Sequence, residues 1–171
     1  MIIKKILFAI FLFIMFGLTG VYAQTSTYIL LRHAEKDTSG IGSTMMKADP
    51  PLAKEGEQRA LRLPEVLKAY TPDAIYSTNY TRTKTTVASL AKKFNKEIEL
   101  YDPKTLAVFS EQLLQQKGKT IVIVGHSNTT PALVNLLIKE NKYATLDESV
   151  YNQLWIVTVT DGKGVAKVVS Y

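Results

Sequence analysis

The sequence predicts a three-layer α/β/α sandwich built around a mostly parallel sheet. Two observations carry this. Tyr28-Ile29-Leu30-Leu31 and Thr120-Ile121-Val122-Ile123-Val124 are continuous apolar runs of strand length, the pattern of strands buried on both faces. Further short strand-like runs alternate with segments whose apolar residues recur at helical spacing, the order that builds an α/β domain. A third observation bears on chemistry. The chain has two histidines, and each stands just after one of the runs, in Arg32-His33-Ala34-Glu35 and in Gly125-His126-Ser127-Asn128. Parallel sheets bind ligands at the carboxyl ends of their strands, so both histidines are expected at one functional edge.

The chain has 171 residues, enough for one domain, and its start stands apart. Lys4 and Lys5 precede an apolar stretch from Ile6 to Phe16, and Val21-Tyr22-Ala23 is a small-x-small cleavage pattern. This is the organisation of a secretory signal peptide over residues 1–23, with residues 24–171 as the mature domain. The competing reading is an uncleaved anchor, for which the apolar stretch is short of the roughly 20 residues that span a bilayer. An exported protein, periplasmic or extracellular and without stable membrane insertion after cleavage, is the expectation. The formal charge is +6, and removing a leader with two lysines and no acid leaves +4. No run of basic residues marks a nucleic-acid face, although a positive balance steers anions inward. Cysteine is absent, which excludes thiol catalysis and thiolate metal sites.

The elements follow in order. A strand over about Thr27–Leu31 leads into a loop, Lys36 to Pro51, rich in Gly, Ser, Thr and Met. It is too long for a turn and reads as a flap over the site. Lys54 to Tyr70 is a helix offering Ala60, Leu61, Leu63, Val66 and Leu67 to a buried face, with Pro64 predicting a kink or break. Ala74–Tyr76 is a short strand, Thr81–Phe94 a helix with Val87, Leu90, Ala91 and Phe94 at helical spacing, and Ile98–Tyr101 a third strand. Asp102 as cap and Pro103 in the first turn open a helix to about Gln116, which Gly118 ends. After the Thr120–Val124 strand, a helix starts near Pro131. Leu154–Thr160 and Val165–Ser170 then form a hairpin around Asp161-Gly162-Lys163-Gly164.

Three strand ends thus present two arginines and two histidines. Arg32 and His33 follow the first strand, Arg82 lies where Ser77-Thr78-Asn79-Tyr80 enters a helix, and His126 follows the fourth. Arginine is a planar fork of donors matched to phosphate oxygens. Two arginines and a cationic histidine neutralise a phosphoryl group, helix N-termini add donors, and the other histidine can attack phosphorus. Ser127 invites a serine-hydrolase reading, but the second glycine of a nucleophile elbow is missing. Two histidines without further ligands at suitable spacing do not make a metal site.

With these residues in place, the sequence resembles the histidine phosphatase superfamily, the phosphoglycerate mutase-like family. Arg32-His33-Ala34 resembles its Arg-His-Gly signature with Ala for Gly. Pro51-Leu52-Ala53-Lys54-Glu55-Gly56-Glu57-Gln58 resembles its Pro-Leu-Thr-x-x-Gly element. Ser77-Thr78-x-x-x-Arg82-Thr83-x-x-Thr86 and Gly125-His126-Ser127-Asn128 resemble its two later elements. The resemblance implies a phosphoglycerate mutase-like fold and a phosphatase that uses no metal or organic cofactor. It makes His33 the nucleophile that becomes phosphohistidine, with Arg32, Arg82 and His126 holding the phosphoryl oxygens before water attacks.

The acid that protonates the leaving group is open between Glu35, placed first for its closeness to His33, and Asp102 or Glu111, since many family members supply an acid after the third strand. Glu35 has a bland alternative, orienting Arg82 or another basic group. The 36–50 loop and the segment Glu140–Tyr151 are the only evident lids, so the site is expected to be open and its substrate a small phosphorylated compound or a larger phosphorylated molecule. A phosphomonoesterase or phosphoramidase is the leading activity. A mutase-type phosphoryl transferase and a non-catalytic phosphate-binding module are the alternatives.

Overall fold

The computed structural model describes residues 24–39 and 49–171. The expected leader, and with it the expected cleavage site, lies outside the described residues, as does the middle of the expected flap. Six strands form one sheet: β1 (Thr25–Arg32), β2 (Ala74–Ser77), β3 (Ile98–Leu100), β4 (Thr120–Gly125), β5 (Gln153–Thr160) and β6 (Lys163–Ser170). Their spatial order is β3-β2-β4-β1-β5-β6. The first four in that row are parallel, while β5 and β6 are antiparallel additions at one edge. Among the described residues four helices cover the two faces: α1 (Lys54–Val66), α2 (Thr81–Phe94), α3 (Leu106–Gln115) and α4 (Thr129–Ile138).

The apolar runs explain the three layers. Successive side chains of a strand point to opposite faces. Tyr28, Leu30, Ile121 and Ile123 join Phe109, Leu113, Leu133, Val134 and Leu137 in one core under α3 and α4. Ile29, Leu31, Val122 and Val124 join Leu63, Leu67, Val87 and Leu90 in a second core under α1 and α2. A strand that feeds both cores cannot afford a polar position, which is why β1 and β4 read as unbroken hydrophobic runs.

The structure differs from the sequence expectations at several ends. Helix α1 stops at Val66, short of Tyr70, and Pro64 sits inside it. Proline removes the donor that the Ala60 carbonyl would take four residues on, and Ser89 Oγ of α2 donates to that carbonyl instead. The buried stripe of α1 is Gly56, Ala60, Leu63 and then Leu67. Leu61 and Val66, expected inside, lie off that stripe and are 70% and 38% exposed. Helix α3 begins at Leu106 rather than Pro103. Asp102 Oδ1 accepts the Lys104 amide at 2.9 Å and the Asp102 carbonyl accepts the Thr105 amide at 3.2 Å, so Pro103 serves a turn. The β5–β6 turn is two residues long. Asp161 and Gly162 have φ of 50° and 78°, the paired left-handed geometry of a type I′ hairpin turn, and Lys163 already pairs with Thr160.

Candidate active site

The parallel strands β1, β2 and β4 all end on one edge of the sheet, and the expected site residues meet there. Arg32 is the last residue of β1, and the His33 amide donates to the Gly125 carbonyl at 3.0 Å. That bond ties the end of β1 to the end of β4, where His126 follows. The two imidazoles lie 5.5 Å apart, centroid to centroid, in an edge-to-face arrangement. Arg82 enters from the first turn of α2. Together with Tyr80, Lys36, Lys104, Ser127 and Glu148, these four residues line a cavity of about 390 Å³.

His33 is 3% exposed. Its Nδ1 lies 2.7 Å from the Ala34 carbonyl. A carbonyl only accepts, so the ring proton sits on Nδ1 and the Nε2 lone pair is free. Burial pushes the His33 pKa down to about 3, against the Ala34 hydrogen bond, and the charges of Arg82 and Arg32 push the same way. His33 is therefore neutral, the form a nucleophile needs. Ala34 stands where the resembled motif has glycine. It is fully buried, packs with Leu52 and Ala60, and donates its amide to Thr86 Oγ1 at 3.0 Å.

His126 departs from expectation. Burial first, then Arg82 and Arg32, push its pKa down to about 4, with only Asp49 acting in the other direction. It is neutral, not cationic. The Thr78 hydroxyl donates to Thr83 Oγ1 at 3.1 Å, so at 3.0 Å from His126 it accepts the Nε2 proton. Positive charge in the cavity thus comes from arginine and lysine.

Both arginines are held by parts of their side chains and left open elsewhere. Arg32 is 1% exposed. Its Nη1 donates to the carbonyls of Asp147, Glu148 and Val150 at 3.0, 3.2 and 2.9 Å, and Nη2 pairs with Glu148 Oε2 at 3.0 Å. The Tyr151 ring lies 4.1 Å from its guanidinium carbon. Arg82 Nη1 pairs with Asp49 Oδ1 at 3.2 Å, and its guanidinium lies over the Tyr80 ring at 4.4 Å. Asp49 also accepts from the Thr81 amide and hydroxyl, capping α2. The Nε–H groups of Arg32 and Arg82 are buried with no partner among the described residues. Unsatisfied buried donors are costly, and both belong to arginines that line the one cavity.

Glu35 does not reach this cavity. Its carboxylate takes the fork of Arg59, at 2.7 Å from Nη2 and 3.0 and 3.1 Å from Nε. Burial works to raise its pKa, but the Arg59 bonds outweigh that and hold it low, so it is a poor acid as well as a distant one. The bland alternative is the one the geometry bears out, with Arg59 rather than Arg82 as partner. Asp102 serves its turn, Glu111 is exposed on α3, and neither lines the cavity. Glu148, Asp49 and Tyr151 were not singled out in the sequence. The one signal for Glu148 is its position in the Glu140–Tyr151 segment expected as a lid. Among the described residues no group of three His, Cys, Asp or Glu side chains is placed to hold a metal ion.

Residues 28–103 match the model of the histidine phosphatase superfamily, branch 1. Over these 76 of its 171 residues the chain is similar to the histidine phosphatase superfamily, and the activity this supports is enzymatic phosphoryl transfer or hydrolysis of the histidine-phosphatase type. No curated protein matches the chain in sequence. Among solved structures it is similar to the protein histidine phosphatase SixA complexed with tungstate, at 14% identity and a TM-score of 0.66 over 84% of this chain and 96% of that one. It is also similar to phosphoserine phosphatase from Entamoeba histolytica, at 18% identity and a TM-score of 0.61 over 83% and 95%. A third is a mycobacterial glucosyl-3-phosphoglycerate phosphatase, at 14% and 0.63 over 86% and 99%. At these identities the likeness is one of fold.

Proposed function

We propose that the protein hydrolyses a phosphomonoester or phosphoramidate through a phosphohistidine at His33. The observation that carries this is the meeting, around one cavity, of the Arg32 and Arg82 guanidinium groups and His126 with a neutral His33 imidazole whose Nε2 lone pair is free. The two guanidinium groups and His126 take the phosphoryl oxygens, His126 gaining a proton as the dianion arrives, because a nearby negative charge favours the imidazolium. His33 Nε2 attacks phosphorus, the leaving oxygen or nitrogen departs toward solvent, and water cleaves the N–P bond. The donors are fixed before the substrate enters, so little reorganisation is needed as charge develops.

The substrate is a compound with a phosphoryl group small enough, or exposed enough, to enter a cavity of about 390 Å³. Phosphorylated histidine and serine, named for two of the similar structures, belong in the first panel of substrates, as does an aryl phosphate. We also assign residues 1–23 to a cleaved secretory leader and place the enzyme outside the cytoplasmic membrane, on the strength of Lys4, Lys5, the apolar stretch and Val21-Tyr22-Ala23.

The test is covalent trapping. Wild-type protein mixed with substrate and quenched in alkali should carry one alkali-stable, acid-labile phosphoryl group. His33→Ala should carry none and lose turnover while keeping its fold by circular dichroism. An alanine variant that turns substrate over at the wild-type rate would remove His33 from the mechanism.

A further inference from the structure

We infer that Glu148 is the acid that protonates the leaving oxygen of the substrate. The inference rests on the phosphatase reading above and adds to it the proton donor that Glu35, Asp102 and Glu111 do not supply. Among the described residues that line the cavity, Glu148 is the one carboxylic acid. It is placed at the mouth, with its side chain 65% exposed, whereas His33 is 3% exposed at the floor. The attacking and leaving atoms of a phosphoryl transfer lie roughly in line. A phosphoryl group seated over His33 therefore turns its ester oxygen toward the mouth, where Glu148 stands.

The contacts of Glu148 supply the means of changing its protonation. Oε2 pairs with Arg32 Nη2 at 3.0 Å and Lys36 Nζ at 3.1 Å, and Oε1 accepts from the Ser127 hydroxyl at 2.9 Å. Arg82 and Lys104 line the same cavity. The Lys36 hydrogen bond above all, with smaller help from Ser127 and the Arg32 charge, holds the carboxyl ionised against burial. A phosphoryl dianion that takes over Arg32 removes one of those partners and sets a negative charge beside the carboxylate. Two anions sharing one site do not both stay ionised, and the open mouth lets a proton in from water. In the step itself, the His33 Nε2 lone pair forms the N–P bond. The P–O bond breaks with its electrons on the ester oxygen, and that oxygen takes the proton from Glu148. The carboxylate left behind is reset by the proton released when water attacks phosphorus.

The test is the rate of phosphoenzyme formation in a single turnover, read by rapid quench, for an alkyl phosphate (2-phosphoglycerol) and for 4-nitrophenyl phosphate. The alkoxide is a poor leaving group and needs the proton, while nitrophenolate does not. Glu148→Gln should slow the alkyl reaction roughly 100-fold or more and the nitrophenyl reaction by less than about threefold, the span expected for a general acid. Tungstate should bind the glutamine variant at least as tightly as wild type, because the carboxylate that shares Arg32 with the anion is gone, and Glu148→Asp should recover part of the alkyl rate. In wild type, the alkyl rate alone should fall on the alkaline side of a pH profile, a readout that needs no variant. Equal slowing of both substrates, or no slowing of either, overturns the inference. So does acceleration of both, which would make the carboxylate only a competitor for the phosphate site. Failure of wild type to form a phosphoenzyme from either compound strikes the phosphatase reading itself, not the role of Glu148.

Discussion

Arg82 shows how much a single side chain is asked to do. One edge of its guanidinium pairs with Asp49, its face lies over Tyr80, and its Nε–H is buried without a partner among the described residues. Lysine keeps the charge but has neither the plane nor the second donor position. Arg82→Lys should lower kcat by roughly 100-fold or more, the loss seen when one donor to a transition-state anion is removed. A lysine variant with wild-type kcat and phosphate affinity would take Arg82 out of the phosphoryl site. The histidines set the acid side of the pH profile. Their pKa values are pushed down to about 3 and about 4, so kcat/KM on an aryl phosphate should hold steady from neutral pH to about 4 and fall below that as His33 gains a proton. Both groups are held below their value of about 6.5 in the unfolded chain, where the unfolded state binds more protons. Stability should thus rise with pH from about 3 to about 6.5 and be flat above, so far as the histidines contribute. Acid titrations of activity and of thermal midpoint, run side by side, separate the two effects.

The loop that carries His33 is set by an element, not by its own sequence. Gly56 in α1 lies so close beneath Glu35 that a Cβ there would sit 2.3 Å from the Glu35 carbonyl oxygen. Arg59, one turn on, holds the Glu35 carboxylate and donates from Nη1 to the Tyr171 carbonyl at 2.8 Å. Gly56→Ala should therefore displace the His33–Glu35 loop. It should lower both the thermal midpoint and kcat, while Leu61→Ala on the exposed side of the same helix changes neither by a measurable amount. Equal effects of the two substitutions would refute the close approach. The same region shows what could be read in the sequence and what could not. The strands, the order of helices and the meeting of Arg32, His33, Arg82 and His126 at one edge follow from apolar runs and strand–loop–helix order, which are local signals. The partner of Glu35 is not local. Arg59 lies 24 residues away, and only the packing of α1 on the β1 end brings it there. The start of α3 at Leu106 rather than Pro103 has a related reason. Asp-Pro suits a turn as well as a helix cap, and the hydrogen bonds of Asp102 to Lys104 and Thr105 decide for the turn.

At the scale of the molecule, the two ends of the sheet have separate tasks. The cavity lies at the carboxyl end of β1, and the chain enters the sheet at the opposite end of the same strand. Thr25 is the first residue of β1 and pairs with Thr160, Thr27 pairs with Thr120, and Gln24 precedes the strand. Cleavage after Ala23 would leave every described strand pair of β1 in place, with the new terminus eight residues of strand away from the chemistry. Chelator should leave turnover unchanged in this protein, because Arg32 and Arg82 already supply the positive charge that a metal ion supplies elsewhere. Loss of activity restored by one divalent metal would contradict that. The leader makes the last prediction. Protein recovered from its native host should begin at Gln24 and lie outside the cytoplasmic membrane. The full-length and mature forms should share kcat and KM on a soluble aryl phosphate, since β1 carries no signal from one end of the sheet to the other beyond its fixed register. Intact-mass spectrometry of membrane and soluble fractions decides the first point. A native protein that retains its first residues in the membrane fraction would make the enzyme an anchored one. A mature form with altered kcat would show that the leader reaches the site across the domain.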